Sequence, residues 1–162
     1  MNDRYNAFEV IEIAEQVERN AVEFYTRAAQ LFEDPKLKNL LSHLAEWEKK
    51  HEEIFAQVKA QVREEIDLLG SFDPDKYFSS NPQIMASLAR SVFPTEPAGG
   101  LTGTEDRARI LQVALQKEKD TVVFYKGLKR FLRERSARYR ISEIIEEEKR
   151  HIRILKEALQ QN

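Results

Sequence analysis

Two short stretches, a hundred residues apart, each place a glutamate three residues before a histidine. They are WEKKHEEIF at 47–55, with Glu48 and His51, and EEKRHIRIL at 147–155, with Glu148 and His151. Residues three apart lie on one face of a helix, so each pair can direct a carboxylate and an imidazole toward one point. Oxygen and imidazole ligands of this kind suit divalent transition metals. One such pair carries little weight in a chain this rich in glutamate, but two in matching surroundings indicate a shared site.

The match extends well beyond these two stretches. At an offset of 100 residues, identical residues recur in both halves of the chain, which indicates an internal duplication. The matching pairs include Glu18 and Glu118, Val22 and Val122, Phe24 and Phe124, Tyr25 and Tyr125, Glu48 and Glu148, Lys49 and Lys149, His51 and His151, and Ile54 and Ile154.

The elements that position these residues are predicted to be four helices. Most prolines and glycines fall in 70–103, so the single domain 1–162 divides into a helical hairpin at 4–69, a crossover at 70–103 and a second hairpin at 104–161. Helix 1 is expected at about 4–32 and helix 2 at about 35–69. Helix 3 should open at the capping-box sequence TGTE, 102–105, and a turn near 134–138 should separate it from helix 4.

The crossover itself carries apolar residues at helical spacing within NPQIMASLARSVF, 81–93, which predicts a short extra helix. Two hairpins joined by so long a connection predict an all-α, ferritin-like four-helix bundle. A crossover of this length allows helices 2 and 3 to run parallel.

Each predicted helix has an apolar stripe that is interrupted near its middle by a glutamate, or by a glutamate and a histidine. Bundle stripes face the axis, so these polar residues should converge in one core layer. Four buried carboxylates repel one another and lose hydration at a cost of several kcal/mol each, unless they are protonated or neutralised. Two divalent metals balance their charge, and such a ligand set is typical of di-iron and di-manganese bundles. The predicted metal ligands are Glu18, Glu48, His51, Glu118, Glu148 and His151.

Neighbouring residues receive other interpretations. Tyr25 and Tyr125 each lie two turns after a predicted ligand on the same face, where a phenol could orient a ligand carboxylate across the bundle. Glu147 could also reach its neighbouring histidine, but the stripe favours Glu148. The remaining interpretations are a surface position for His43, packing for Trp47 and Phe24, and solvated helix faces for Glu15, Glu46, Glu52, Glu53 and Glu146.

Composition narrows the class of protein. Hydrophobic residues make up 41% of the chain and charged residues 33%, with a net charge of −2, so neither nucleic acid nor a membrane is an expected partner. The N-terminal residues do not resemble a signal peptide, and a cytoplasmic location is expected. The absence of cysteine excludes thiol catalysis, iron–sulfur clusters and a four-thiolate iron site within these 162 residues.

Four stretches of this chain resemble the rubrerythrin branch of the ferritin-like superfamily. They are ERNAVEFYTRAA from Glu18, LAEWEKKH to His51, LQKEKDTVVFY around Glu118 and IIEEEKRH to His151. The resemblance implies two metal ions, with iron expected and manganese or zinc accepted by the same ligands. It also implies a homodimer with oxidoreductase activity toward peroxide or dioxygen.

Two departures from the family pattern bear on that activity. Rubrerythrins typically append a rubredoxin-like domain with four cysteines. A chain without one is expected to need an external electron-transfer protein. Many also carry a further glutamate three residues after the first ligand of the third helix, where this chain has Thr121. The alternatives are therefore a ferroxidase or iron-handling protein, and a structural helical module with a non-redox metal site.

Overall fold

The computed structural model describes residues 7–68, 101–129, 132 and 134–161 as an all-helical structure. We number the four helices in chain order as α1 (Ala7–Gln30), α2 (Pro35–Leu68), α3 (Arg107–Lys129) and α4 (Arg135–Gln160). Helix α1 packs against α2 and α3 against α4, while α1 also contacts α3 and α2 also contacts α4. Residues 70–100 of the predicted crossover, with its short helix at 81–93, lie outside the described residues.

The helix directions follow from two separate apolar clusters in the core. Cluster A includes Ile11, Ala14, Phe55, Val58, Tyr125, Leu128, Ile141 and Ile144. Cluster B includes Phe24, Tyr25, Leu41, Leu44, Ile110, Leu111 and Leu155. Helices α1 and α4 pass from cluster A to cluster B as the chain advances, whereas α2 and α3 pass from B to A. Helices α2 and α3 are therefore parallel, as the length of the connection between them allows.

Local capping explains where α2 and α3 begin. Asp34 accepts a hydrogen bond from the Leu37 amide at 3.1 Å, and Pro35 occupies the first position of α2. Asp106 accepts one from the Arg109 amide at 2.8 Å at the start of α3. The helix α3 therefore begins later in the chain than the predicted start at 102–105. Glu105 does accept from the Thr102 amide at 2.6 Å, but this pair closes a turn that precedes the helix.

The boundary between α3 and α4 also differs from the prediction. We expected a turn near 134–138, but α4 already begins at Arg135. Glu134 explains the earlier start, because its carboxylate accepts hydrogen bonds from the amides of Ser136 at 3.2 Å and Ala137 at 2.9 Å. Leu132 remains buried although it lies outside both helices. This predicted stripe residue of helix 3 therefore belongs to the connection between α3 and α4.

None of the described helices is both long enough and apolar enough to cross a membrane.

Replacing Glu134 by alanine should destabilise the chain, because the first amides of α4 lose their acceptor. We expect the free energy of unfolding to fall by about 1 kcal/mol, measured by urea denaturation. Glu143→Ala, at an exposed position inside α4, is the matched control and should change it by less than about 0.5 kcal/mol. Equal losses in the two variants would contradict the capping role.

Candidate metal centre

One polar layer lies between clusters A and B, and the structure brings all six predicted ligands into it. Each is at most 1% exposed, although carboxylates are rarely buried without partners. The layer draws one residue each from α1 and α3 and two each from α2 and α4: Glu18, Glu118, Glu48 with His51, and Glu148 with His151.

Glu48 and Glu148 each contact both imidazoles, whose rings stack with 5.7 Å between their centroids. The Nδ1 atom of His51 is 3.1 Å from Oε2 of Glu48 and 3.0 Å from Oε1 of Glu148. The Nδ1 atom of His151 is 3.2 Å from Oε1 of Glu48 and 2.9 Å from Oε2 of Glu148. Each central carboxylate therefore directs one oxygen toward each histidine, as a ligand that bridges two ions would.

Glu18 and Glu118 lie at opposite ends of this arrangement. Oε1 of Glu18 is 3.7 Å from Nδ1 of His51, and Oε1 of Glu118 is 3.9 Å from Nδ1 of His151. Two overlapping groups result, and within each group one ligand atom per residue lies within 4.8 Å of the others. We call them the His51 position (Glu18, Glu48, His51, Glu148) and the His151 position (Glu48, Glu118, Glu148, His151).

Two buried tyrosines hold the outer carboxylates. The Tyr25 hydroxyl donates to Oε1 of Glu118 at 2.5 Å, and the Tyr125 hydroxyl donates to Oε1 of Glu18 at 2.5 Å. Burial, followed by the negative charge of the bonded glutamate, raises the pKa of each phenol well above its ordinary value. Both tyrosines therefore stay protonated as donors and fix one oxygen of each carboxylate.

Burial opposes the ionisation of the four carboxyl groups in this layer. Burial, and then repulsion by Glu118, raises the pKa of Glu48 well above its ordinary value. Burial, and then repulsion by Glu148, likewise raises the pKa of Glu118 and of Glu18. Without a countercharge, these carboxyls favour the protonated form.

Glu148 and His51 behave in the opposite way. Burial opposes the ionisation of Glu148, but the charge of His51 and hydrogen bonds from both histidines outweigh it and hold the pKa well below its ordinary value. Burial also opposes a charge on His51, yet Glu148 and Glu18 raise its pKa well above the usual range. The metal-free layer thus neutralises itself in part with an internal carboxylate–imidazolium pair.

The donor set suits two divalent metal ions. Each position offers three carboxylates and one imidazole, which are the oxygen and nitrogen ligands that iron, manganese and zinc accept. Oε1 of Glu48 and Oε2 of Glu118 are buried and have no hydrogen-bond partner among the described residues. Buried polar atoms normally have partners, so acceptors left open toward the layer fit a bound cation.

Glu147 and Trp47 contact the predicted ligands in ways that sequence reasoning missed. Oε2 of Glu147 lies 2.5 Å from Nε2 of His51, across the bundle from α4 to α2. The ring of Trp47 stacks on His151 with 5.1 Å between the ring centroids. The offset of 100 makes positions 47 and 147 equivalent, but only the packing of α2 against α4 shows that each contacts the histidine of the other half.

The other interpretations had mixed outcomes. Phe24 is buried in cluster B, and His43, Glu46, Glu53 and Glu146 are exposed. Glu52 is partly buried. The solvated position predicted for Glu15 is wrong, because it is only 8% exposed and accepts a hydrogen bond from Lys59 of α2 at 2.5 Å.

Two buried residues of α3 lie close in sequence to Glu118. Thr121 donates its hydroxyl to the Lys117 carbonyl at 2.9 Å, so this side chain bonds its own helix. Lys117 itself is buried beside the Phe24 ring, and burial lowers its pKa to about 8.

Comparison with known proteins agrees with the predicted fold and resemblance. The family model of rubrerythrin matches residues 2–59, which include Glu18, Glu48 and His51. A crystal structure from Thermotoga maritima, described as a ferritin-like diiron-carboxylate protein, superimposes with a TM-score of 0.70. It is 23% identical over 99% of both chains. No curated protein matches the chain. The ferritin-like fold is thus confirmed, and so is the resemblance to rubrerythrin, which the family model places in the first hairpin.

The metal-free chain should lose stability between pH 6 and pH 8. A group whose folded pKa is raised stabilises the fold below its ordinary pKa and loses that contribution as the pH rises through the folded value. Glu48 begins to contribute this loss above its ordinary 4.5, and His51 above its ordinary 6.5. We therefore expect a lower Tm at pH 8 than at pH 6 in the presence of a chelator.

Glu48→Gln should reduce this fall in Tm, because the amide keeps a similar shape without ionising. Glu53→Gln, at an exposed position of α2, should leave the fall unchanged. A metal-free Tm that stays constant or rises from pH 6 to pH 8 would contradict the electrostatics described for the layer.

Proposed function

We propose that this rubrerythrin-like chain of ferritin-like fold binds two metal ions, one at the His51 position and one at the His151 position. The observation that carries the proposal is the placement of Glu48 and Glu148, whose oxygens each face a different imidazole at 2.9–3.2 Å. Glu18 and Glu118 would each complete one position as a terminal ligand. Iron is the metal that the family resemblance favours.

We further propose that the protein is a non-haem di-iron oxidoreductase that acts on peroxide or dioxygen. A pair of ferrous ions would supply one electron each to the bound oxidant. The six predicted ligands are at most 1% exposed, so the layer would shield the reaction from bulk water. These 162 residues contain no cysteine and hence no thiolate-bound iron, so the electrons would come from outside them, and an external electron-transfer protein is the donor that we propose.

The tyrosines would keep the terminal carboxylates oriented during such a reaction. Each holds one oxygen of Glu18 or Glu118, and the other oxygen of Glu118 has no hydrogen-bond partner among the described residues. Because both phenols have raised pKa values, they remain hydrogen-bond donors at neutral pH. They therefore stabilise the ionised carboxylates that metal binding requires.

A second candidate function is iron oxidation for storage or delivery, without sustained turnover with a reductant. The observation in its favour is Thr121, whose hydroxyl bonds the Lys117 carbonyl and supplies no carboxylate to the layer. A ligand set limited to six residues offers no exchange of ligands at that point of α3. Re-reduction of the oxidised metal pair would then be slow. Such a protein would be better suited to handling iron than to repeated reduction of peroxide.

Metal binding should be stoichiometric and should depend on Glu48. We expect isothermal titration of the metal-free full chain with Co²⁺ to give two equivalents per chain. A free concentration of 100 Kd should add about 2.7 kcal/mol of stability for a single site. Glu48→Gln should weaken both equivalents, because the carboxylate is shared, whereas Glu46→Gln on the exposed face should weaken neither. A wild-type chain that binds no Co²⁺ would overturn the metal centre.

Reaction with peroxide separates the two candidate functions. Addition of one equivalent of H₂O₂ to the anaerobic, ferrous-loaded chain should produce ferric absorbance within seconds. Glu18→Ala should abolish this absorbance. Glu23→Ala, at an exposed site of α1, is the control. Repeated cycles with a chemical reductant support the oxidoreductase. A single oxidation, followed by retention of many irons per chain in large particles, supports iron handling instead.

A further inference from the structure

The two halves of the bundle are related by an approximate twofold axis that runs through the polar layer. Helices α1 and α3 are antiparallel, and so corresponding residues approach the layer from opposite ends. Contacts consequently occur in pairs related by the offset of 100. The hydrogen bond from Tyr25 to Glu118 has its counterpart in the bond from Tyr125 to Glu18, with the same 2.5 Å separation.

This symmetry fails at one pair of positions beside the histidines. Position 147 packs against His51, and the corresponding position 47 packs against His151, as the twofold relation requires. The chemistry of the two contacts differs, however. Oε2 of Glu147 accepts a hydrogen bond from Nε2 of His51 at 2.5 Å, whereas Trp47 presents its ring face to His151 with an interplanar angle of 16°.

The consequence for His151 is visible in its second ring nitrogen. Nε2 of His151 is buried, and no hydrogen-bond partner for it lies within the described helices and connections. A carboxylate that accepts from one ring nitrogen keeps the proton there and leaves the lone pair of the other nitrogen directed at a metal. Glu147 would do this for Nδ1 of His51, which faces the central carboxylates, once a metal replaces the proton on that nitrogen. Trp47 cannot, because its indole can only donate a hydrogen bond.

We propose that Glu147 is a positioning residue that makes the His51 position the tighter of the two metal positions. The proposal rests on the metal centre proposed above and adds an order of filling, with the His51 position occupied first and the His151 position second. Loss of a hydrogen-bonded partner of this type typically weakens metal affinity by about 10–100-fold. Because the Glu147 side chain is 46% exposed, we expect an effect near the lower end of that range.

The test is a calorimetric titration of the full metal-free chain with Co²⁺ alone, at one pH and ionic strength. Glu147→Leu removes the acceptor and should weaken the tighter equivalent by about tenfold, while the weaker one changes by less than about twofold. Glu147→Gln retains a carbonyl acceptor and should restore most of the loss. Glu146→Leu is the matched control, since Glu146 is 71% exposed, bonds Lys149 and does not contact a predicted ligand.

A purely structural role for Glu147 would give a different pattern. It would lower the metal-free Tm, weaken both equivalents alike and show no recovery with glutamine, and any of these results overturns the proposal. A tighter equivalent that stays within about twofold in Glu147→Leu overturns it as well, while the metal centre stands. A wild-type chain that binds no Co²⁺ removes both the metal centre and the order of filling.

Discussion

Mutual repulsion among four buried carboxylates is the constraint on which the rest of this bundle depends. Glu18, Glu48, Glu118 and Glu148 are at most 1% exposed, and hydration is therefore not available to them. Without metal, the chain meets the constraint with protons, with a carboxylate–imidazolium pair and with two phenol donors. Each of these three interactions leaves a carboxylate oxygen or an imidazole nitrogen that a cation would bind. The same side-chain arrangement therefore suits both the metal-free and the metal-bound layer.

The polar layer also divides the apolar core into two parts. Cluster A lies on one side and cluster B on the other, and each contains one of the tyrosines that reach into the layer. Tyr25 belongs to cluster B and Tyr125 to cluster A, so each ring is held by apolar packing while its hydroxyl is held by a carboxylate. A ring packed in this way has little rotational freedom, and the position of Glu18 and Glu118 is consequently set by the core on either side of the layer.

The sequence carried enough information for the helices and for the six residues of the layer, because periodicity reports which face of a helix is buried. It carried less about contacts between helices. Glu147 lies off the stripe, yet a side chain at the edge of a stripe can reach a neighbouring helix, as its bond to His51 shows. The prediction of a solvated Glu15 is wrong because Lys59 provides a partner that only the packing of α1 on α2 brings near. The start of α4 was misplaced because Glu134 is a less usual capping residue than serine or aspartate, and so its role is visible only in the structure.

The approximate twofold axis has one further consequence. If two separate, identical hairpins formed this bundle, each substitution near the layer would occur in both hairpins. Any change beside one histidine would then also be made beside the other. A single polypeptide that contains both hairpins is free of this restriction, and positions 47 and 147 can hold different residues. Covalent linkage of the halves thus allows each half to specialise while the other keeps its original form.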